Sequence, residues 1–288
     1  MIHGAVQITP TSVRHSAIST ETPKGRSLTA GLREIPVERV AFGEVEAALT
    51  EGVEAVREAG ADRVQLLASG DLRGTAIGGR LSVKSRRLGL GELRFTGTGA
   101  AIAAEFVSRS VATGIGGGLR VSEACGVLGI GYHSVGLAVG SPGSAPTWTG
   151  SRPIGVKLLG ERSRISDPPE PTQLAAAQAA VERSLGGLTN PGFDLLIAVS
   201  DFARATRLIC GELTGAESLG LALDSVLGMS ADELGARAGL GSVLARLFPL
   251  ALTIQYAAAR TFAVDLAPVD PDPAELDFAL TGSVRPGA

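Results

Sequence analysis

Two short stretches of the chain have residue types and spacing that could hold a phosphate. Ala5–Ile18 reads AVQITPTSVRHSAI and Val127–Val139 reads VLGIGYHSVGLAV; each is an apolar run, a tip of small and polar residues, and a second apolar run. Such a strand-turn-strand hairpin can offer backbone N–H groups to phosphate oxygens, because little beyond the main chain stands in the way. The same composition also serves turn geometry alone. At the second tip His133 and Ser134 are adjacent, the pair that nucleophilic catalysis would need. Neighbours in an extended turn point to opposite sides, however, and no acid is placed by its spacing to orient the imidazole, so the pair is given no catalytic role. A third feature is basic: Arg73, Arg80, Lys84, Arg86, Arg87 and Arg94 face only Glu92 in the stretch 73–94. That run could track a polyanion, or it is a solvated face of an arginine-rich chain.

The composition limits what these features can serve. With 288 residues, 44% hydrophobic and 19% charged, the chain is long enough for two ordinary domains and too apolar to be disordered. A net charge of −3 gives no broad field for nucleic acid or an anionic membrane, so any anion site is local. Lysine occurs only at Lys24, Lys84 and Lys157, against 23 arginines. Cys125 and Cys210 are far apart and histidine is limited to His3, His15 and His133, which excludes a zinc cluster and a dithiol redox motif. Both cysteines read as small hydrophobes. The amino terminus lacks a basic start followed by an apolar run. The most apolar stretch, Leu244 to Val264, is interrupted by Arg246, Pro249, Gln255 and Arg260, so the expectation is a cytoplasmic protein without a membrane span.

The elements that must carry the hairpins alternate in type. After GAVQI and SVRHSAIST comes a helix over about Gly43 to Ala59, in which Val45, Leu49, Val53 and Val56 step by helical spacing. RVQLLAS, GELRFTG and a helix through AAIAAEFVSRSV follow. The later half opens with CGVLGIG and SVGLAVG. It continues through IGVKLLG, a helix near Thr172 to Leu185, the strand DLLIAVS, and almost only helix to about Val264. Ser230 and Glu233 have capping-box spacing. SDPPEPT (Ser166 to Thr172) and VDPDP (Val269 to Pro273) read as connections.

In this order the segments resemble the exopolyphosphatase and guanosine-pentaphosphate phosphatase family of the actin, hexokinase and Hsp70 superfamily. The family pattern AIDIGTNSVR is similar to AVQITPTSVR (Ala5–Arg14). ATSALRDA is similar to ASGDLRGT (Ala68–Thr75), SGEEEA to TGTGAA (Thr96–Ala101), and VDIGGGSTELVLG to LGIGYHSVGLAVG (Leu128–Gly140). Farther on, PIGVKL (Pro153–Leu158), SDPPEPTQL (Ser166–Leu174), AVSDFARA (Ala198–Ala205) and SVRPG (Ser283–Gly287) resemble later family segments in the same order. The DPP segment is the most specific of these.

The departures fall on the residues the family uses for chemistry. Phosphoanhydride hydrolysis needs a carboxylate to activate water, Mg²⁺ held by acids, and N–H groups around the phosphate. At the family's acidic positions this chain has Gln7, Gly129, Gly136, Gly99 and Ala100. Thr9 and Pro10, Tyr132 and His133, and Ser200 and Asp201 stand where the family has small residues around phosphate. Glu105 and Glu123 lie near the lost acids in sequence and could replace them, although Glu105 is a turn or more along the helix from Gly99.

The resemblance implies an α/β fold of two actin-like (ribonuclease H-like) domains, 1–120 and 121–288, split near Gly118 to Ala124. Each would hold a mixed five-stranded sheet flanked by helices, with a cleft between them and a helical C-terminal part in the second. It implies no catalytic or metal residue. Anion-binding pieces carry over at Ser12, Arg14, Ser69, Arg73, Gly131 and Ser134. The expected function is that of a phosphatase homologue without catalytic acids, binding polyphosphate, a phosphorylated nucleotide or a protein partner, with no cofactor. Two alternatives stay open: an active, Mg²⁺-dependent hydrolase with relocated acids, and a scaffold whose cleft is closed. Homodimers are expected; specific nucleic-acid binding and membrane association are not.

Overall fold

The computed structural model describes residues 1–19, 26–37, 40–90, 92–96, 102–103, 106, 124–142, 144–186, 192–193, 195–271 and 273. They fall into two compact units, whose described parts are 1–106 with Pro273, and 124–271. The expected domain boundary at 120/121 lies outside the described residues, as do Gly99, Ala100, Glu105, Glu123 and Ser283–Gly287. Of the helix expected through AAIAAEFVSRSV, Ile102, Ala103 and Phe106 are described, and they are helical.

The first unit runs β1 (Ile2–Ile8), β2 (Ser12–Ser19), β3 (Arg26–Glu34), α1 (Phe42–Glu58), β4 (Arg63–Ser69), α2 (Ala76–Arg87) and β5 (Arg94–Thr96). Its sheet has the order β3-β2-β1-β4-β5, with β1, β2 and β3 antiparallel and β4 and β5 parallel to β1. Strand alternation turns Val6, Ile8, Val13, Ala17 and Leu66 to one face, and the helical spacing of Val45, Leu49, Val53 and Val56 presents a matching stripe on α1. These residues form one core. Helix α2 starts at the N-cap Thr75, whose hydroxyl accepts the Gly78 N–H at 3.0 Å. Gly78 is obligatory there, since a Cβ would lie 2.2 Å from the Leu72 carbonyl oxygen.

The second unit repeats the plan. It runs β6 (Cys125–Ile130), β7 (Val135–Gly140), β8 (Trp148–Arg152), α3 (Val156–Ser163), α4 (Pro171–Leu185), β9 (Leu195–Val199), α5 (Ala203–Cys210), α6 (Ala216–Val226), α7 (Ala231–Ala238), α8 (Ser242–Phe262) and β10 (Asp265–Val269). The sheet order β10-β9-β6-β7-β8 is that of the first unit read from its own hairpin: an antiparallel meander, then two parallel strands. Both mixed five-stranded sheets that the resemblance implied are therefore present.

Helix α8 is long and apolar enough by composition to cross a bilayer, and it lies buried against α3, α4, α6 and α7 as the centre of this unit's core. Arg246, Pro249, Gln255 and Arg260 interrupt its hydropathy but not its backbone. Pro249 removes one ladder donor, and its own carbonyl accepts the Thr253 hydroxyl at 2.8 Å. Gln255 is wholly buried and donates to the Thr206 hydroxyl at 3.1 Å. The expected capping box on α7 forms: Ser230 N–H donates to Glu233 at 2.7 Å and Glu233 N–H to the Ser230 hydroxyl at 3.3 Å.

Candidate functional site

Both hairpin tips sit at the end of the sheet where β1 or β6 finishes beside the parallel strand β4 or β9. In the first, four residues make the turn, and the Thr9 N–H donates to the Ser12 carbonyl at 2.9 Å. The Thr9 side chain then folds into its own turn. Its hydroxyl oxygen accepts the N–H groups of Thr11 at 3.3 Å and Ser12 at 3.0 Å, and lies 2.8 Å from the Ser12 hydroxyl. Those are backbone donors of the kind that a bound phosphate oxygen would take. On the outer side the Pro10 and Thr11 carbonyls accept Val37 N–H at 3.0 Å and Ile35 N–H at 2.9 Å. Ser12 is fully buried, and Arg14, on β2 opposite Gln7, is 6% exposed.

The second tip repeats the turn and is closed differently. Gly131 N–H donates to the Ser134 carbonyl at 2.9 Å. The carbonyls of His133, Gly131 and Tyr132 then accept the N–H groups of Gly155 (3.0 Å), Val156 (3.1 Å) and Lys157 (2.8 Å), the opening residues of α3. A helix start carries unsatisfied donors and partial positive charge, a natural anion site; here the hairpin tip takes those donors. The fit requires glycine, because a Cβ on Gly155 would lie 2.3 Å from Ser134 N and 2.4 Å from the His133 carbonyl carbon. Tyr132 and His133 meet edge to face with ring centroids 5.0 Å apart, and the Lys157 ammonium lies 5.1 Å from the Tyr132 ring centre.

The other carried-over residues are placed as follows. Ser69 closes the end of β4, its hydroxyl donating to the Asp71 carboxylate at 3.2 Å and accepting the Asp71 N–H at 3.4 Å. Arg73 is exposed, donates to the Phe95 carbonyl at 3.4 Å and lies over the Phe95 ring. Ser12 and Ser69 thus share one end of the first sheet, and Gly131 and Ser134 share one tip of the second. In the turn after β9, Ser200 is 2% exposed and its hydroxyl accepts the Phe202 N–H at 3.3 Å. Of the basic run, Arg80 stacks 4.0 Å from the Phe42 ring centre and Lys84 pairs with Glu46 at 3.8 Å. Arg86 and Arg87 are exposed in the last turn of α2, where positive charge complements the helix dipole.

At the described positions where the resemblance sets the family's acids, Gln7, Gly129 and Gly136, the two hairpins carry no carboxylate. Gln7 pairs with Arg14 across the first hairpin. Gly129 pairs with Gly136 across the second, so two expected carboxylate positions face each other with no side chains between them. The DPP segment is structural: the Asp167 carboxylate accepts the N–H of Ala231, the first residue of α7, at 2.8 Å and lies 3.7 Å from Arg246. Gln173 ties the same segment down through Ser166 and Glu170. Burial raises the Cys125 and Cys210 thiols to about 11, as expected of cysteines used for packing. The inward turn of the Thr9 hydroxyl and the docking of Gly155 were not legible in the sequence beforehand. Both depend on which N–H groups a folded turn leaves open.

No family model matches the sequence, and no curated protein matches it. Solved structures do. The Aquifex aeolicus member of the Ppx/GppA protein family superposes with TM-score 0.77 at 16% identity, over 99% of this chain and 97% of its own. An exopolyphosphatase from Cytophaga hutchinsonii superposes with TM-score 0.77 at 14% identity, over all of both chains. A third, described as an exopolyphosphatase-like protein, gives 0.76 at 18% identity over 98% and 97%. Identities this low carry the architecture and not the chemistry, and the sheet order of both units agrees with it: the chain has the fold of the Ppx/GppA phosphatases.

Proposed function

We propose that this chain is a non-catalytic counterpart of the Ppx/GppA phosphatases, holding a phosphorylated ligand of the polyphosphate or nucleotide class without hydrolysing it. The observation that carries the non-catalytic part of the reading is the Thr9 hydroxyl, which takes the Thr11 and Ser12 N–H groups inside the first hairpin and so leaves ligand binding to side chains outside the tip. Gln7, Gly129 and Gly136 supply no carboxylate to activate water or hold Mg²⁺, so the reading requires no cofactor. Among the six carried-over positions Arg73 offers an accessible charge, and its planar guanidinium suits a phosphate group. The reading places the protein in the cytoplasm, with no membrane or specific nucleic-acid partner.

A calorimetric titration with polyphosphate in Mg²⁺, with free phosphate assayed alongside, tests this. The expected result is a saturable heat, lost in Arg73→Ala, with no phosphate released above the blank. Steady release that stops in Glu105→Gln or Glu123→Gln would replace the reading with an active hydrolase. No heat at all would replace it with a scaffold that serves a protein partner.

A further inference from the structure

Where β4 begins, at the end of the first sheet opposite the hairpin tip, a cavity of about 660 Å³ opens between the last turn of α1, the start of β4 and the segment that leads from α2 into β5. Its size is that of a small-molecule site. Arg57, Arg63 and Arg94 line it, one from each side, together with Asp62, Gln65 and Glu92. Arg94 ends the basic run 73–94, but Arg57 and Arg63 come from outside that run, so the fold assembles this group. Helices α1 and α2 both end at this edge, and the partial negative charge of their last carbonyls would oppose an anion. That charge is answered: Arg57 donates to the Leu88 carbonyl at 2.9 Å, and Arg86 and Arg87 stand in the last turn of α2. The Asp62 carboxylate accepts the Ile2 N–H at 2.8 Å. Arg63 is exposed, and its side chain has no hydrogen bond or ion pair among the described residues. Gln65 lies two residues along on the same face of β4, 6% exposed. Its amide nitrogen donates to the Leu66 and Glu92 carbonyls at 3.0 Å each, which spends both hydrogens and leaves Oε1 without a donor among the described residues.

We propose that this cavity binds a small organic oxyanion, a phosphate ester or a carboxylate, that also carries a hydroxyl group. Guanidinium groups hold either oxyanion through pairs of parallel N–H donors, and three of them against two carboxylates leave the lining positive. Gln65 sets the second demand. Its Oε1 takes a donor from the ligand, which an anion held by guanidinium groups alone does not supply. The interior of a polyphosphate chain has charge but no hydroxyl to donate, so this site differs in chemistry from the one proposed at Arg73. It also lies at the other end of the sheet, and the inference is independent of how the hairpin tips are read.

Isothermal calorimetry of the full chain with ribose 5-phosphate and with citrate, at low ionic strength and about pH 8, where phosphate monoesters are fully ionised, tests it. The expected result is saturable binding of one probe, weakened at least tenfold in Arg63→Ala and in Arg94→Ala and unchanged in Arg73→Ala. Binding of ribose 5-phosphate assigns the site to phosphate esters, and binding of citrate to carboxylates. Each probe has a counterpart without the hydroxyl, methyl phosphate for the first and tricarballylate for the second, and the counterpart should bind more weakly. Absence of saturable heat with both probes overturns the inference. So does binding indifferent to both Arg63→Ala and Arg94→Ala, whether or not Arg73→Ala abolishes it. Equal affinity for a probe and its counterpart overturns the hydroxyl requirement. Arg63→Ala removes an exposed side chain without internal bonds, and Arg57 is left in place because it fastens the end of α2. The unfolding temperature of each variant separates lost binding from lost folding. The polyphosphate titration and this one thus answer to different arginines, and either can fail alone.

Discussion

The two hairpins are the same device built twice and finished in different ways. Thr9–Ser12 and Gly131–Ser134 are turns of equal length, each closed by the first N–H donating to the fourth carbonyl. In each unit the segment after the third strand docks on the tip. Ile35 and Val37 donate to Thr11 and Pro10; Gly155 and Lys157 donate to His133 and Tyr132, the equivalent positions. The middle residue differs. Val156 gives a third bond, to Gly131, whereas its counterpart Pro36 has no N–H to give. The first tip instead draws in its own Thr9 hydroxyl. A duplicated backbone thus keeps its hydrogen-bond plan, while side chains decide whether the turn is filled from inside or clamped from outside.

The clamp is the stiffer arrangement and should fail most sharply. Gly155→Ala places a methyl group within 2.3 Å of backbone atoms that have no freedom to yield. The expected loss is about 3 kcal/mol in urea unfolding, the upper end of the range for overpacking. A loss below half that would mean that α3 slides off the tip at little cost, and the clamp would no longer distinguish the two units.

The filled turn should be softer. Thr9→Val keeps the shape and removes the hydroxyl, leaving the Thr11 and Ser12 N–H groups without that acceptor. The expected cost is about 1 to 2 kcal/mol by the same unfolding measurement. Equal stability of Thr9→Val and wild type would show that the hydroxyl is incidental to the turn, and with it would go the main support for the non-catalytic reading.

How much of this could be read beforehand follows from the range of each interaction. Helix α1 was legible because Val45, Leu49, Val53 and Val56 repeat locally, and the α7 cap because Ser230 and Glu233 are three apart. Strands β3, β8 and β10 were not individually legible. RSLTAGLRE and WTGSR lie on the edges of their sheets, and DLAPV contains a proline, so none shows a clean apolar run. The DPP segment was legible as a match but not as a fastening, because its partner Ala231 is 64 residues away. The carried-over site residues were legible only as positions; that Ser12 and Arg14 are buried depends on packing that no local pattern encodes.

The smallest expected effect concerns what lies over a glycine at equivalent places in the third strands. In the first unit Gly31 pairs with His15, and the imidazole lies where a Cβ would be, 2.3 Å from it. In the second unit Gly150 pairs with Leu137, and the ring of Trp148, from the same strand, fills that place at 2.5 Å. An indole does not titrate and an imidazole does, so pH should act on the first unit here and not on the second. Burial holds His15 below its ordinary value, and the Glu51 carboxylate, itself paired with Arg33, partly offsets that. With the folded value depressed, the unfolded chain binds more protons in the interval just below the ordinary 6.5, so stability falls as pH drops through that interval. His15→Gln should remove this component of the pH dependence of Tm, and Glu51→Gln, by taking away the opposing charge, should steepen it. Identical pH profiles for wild type and His15→Gln would show that the imidazole packs over Gly31 as inertly as the indole packs over Gly150.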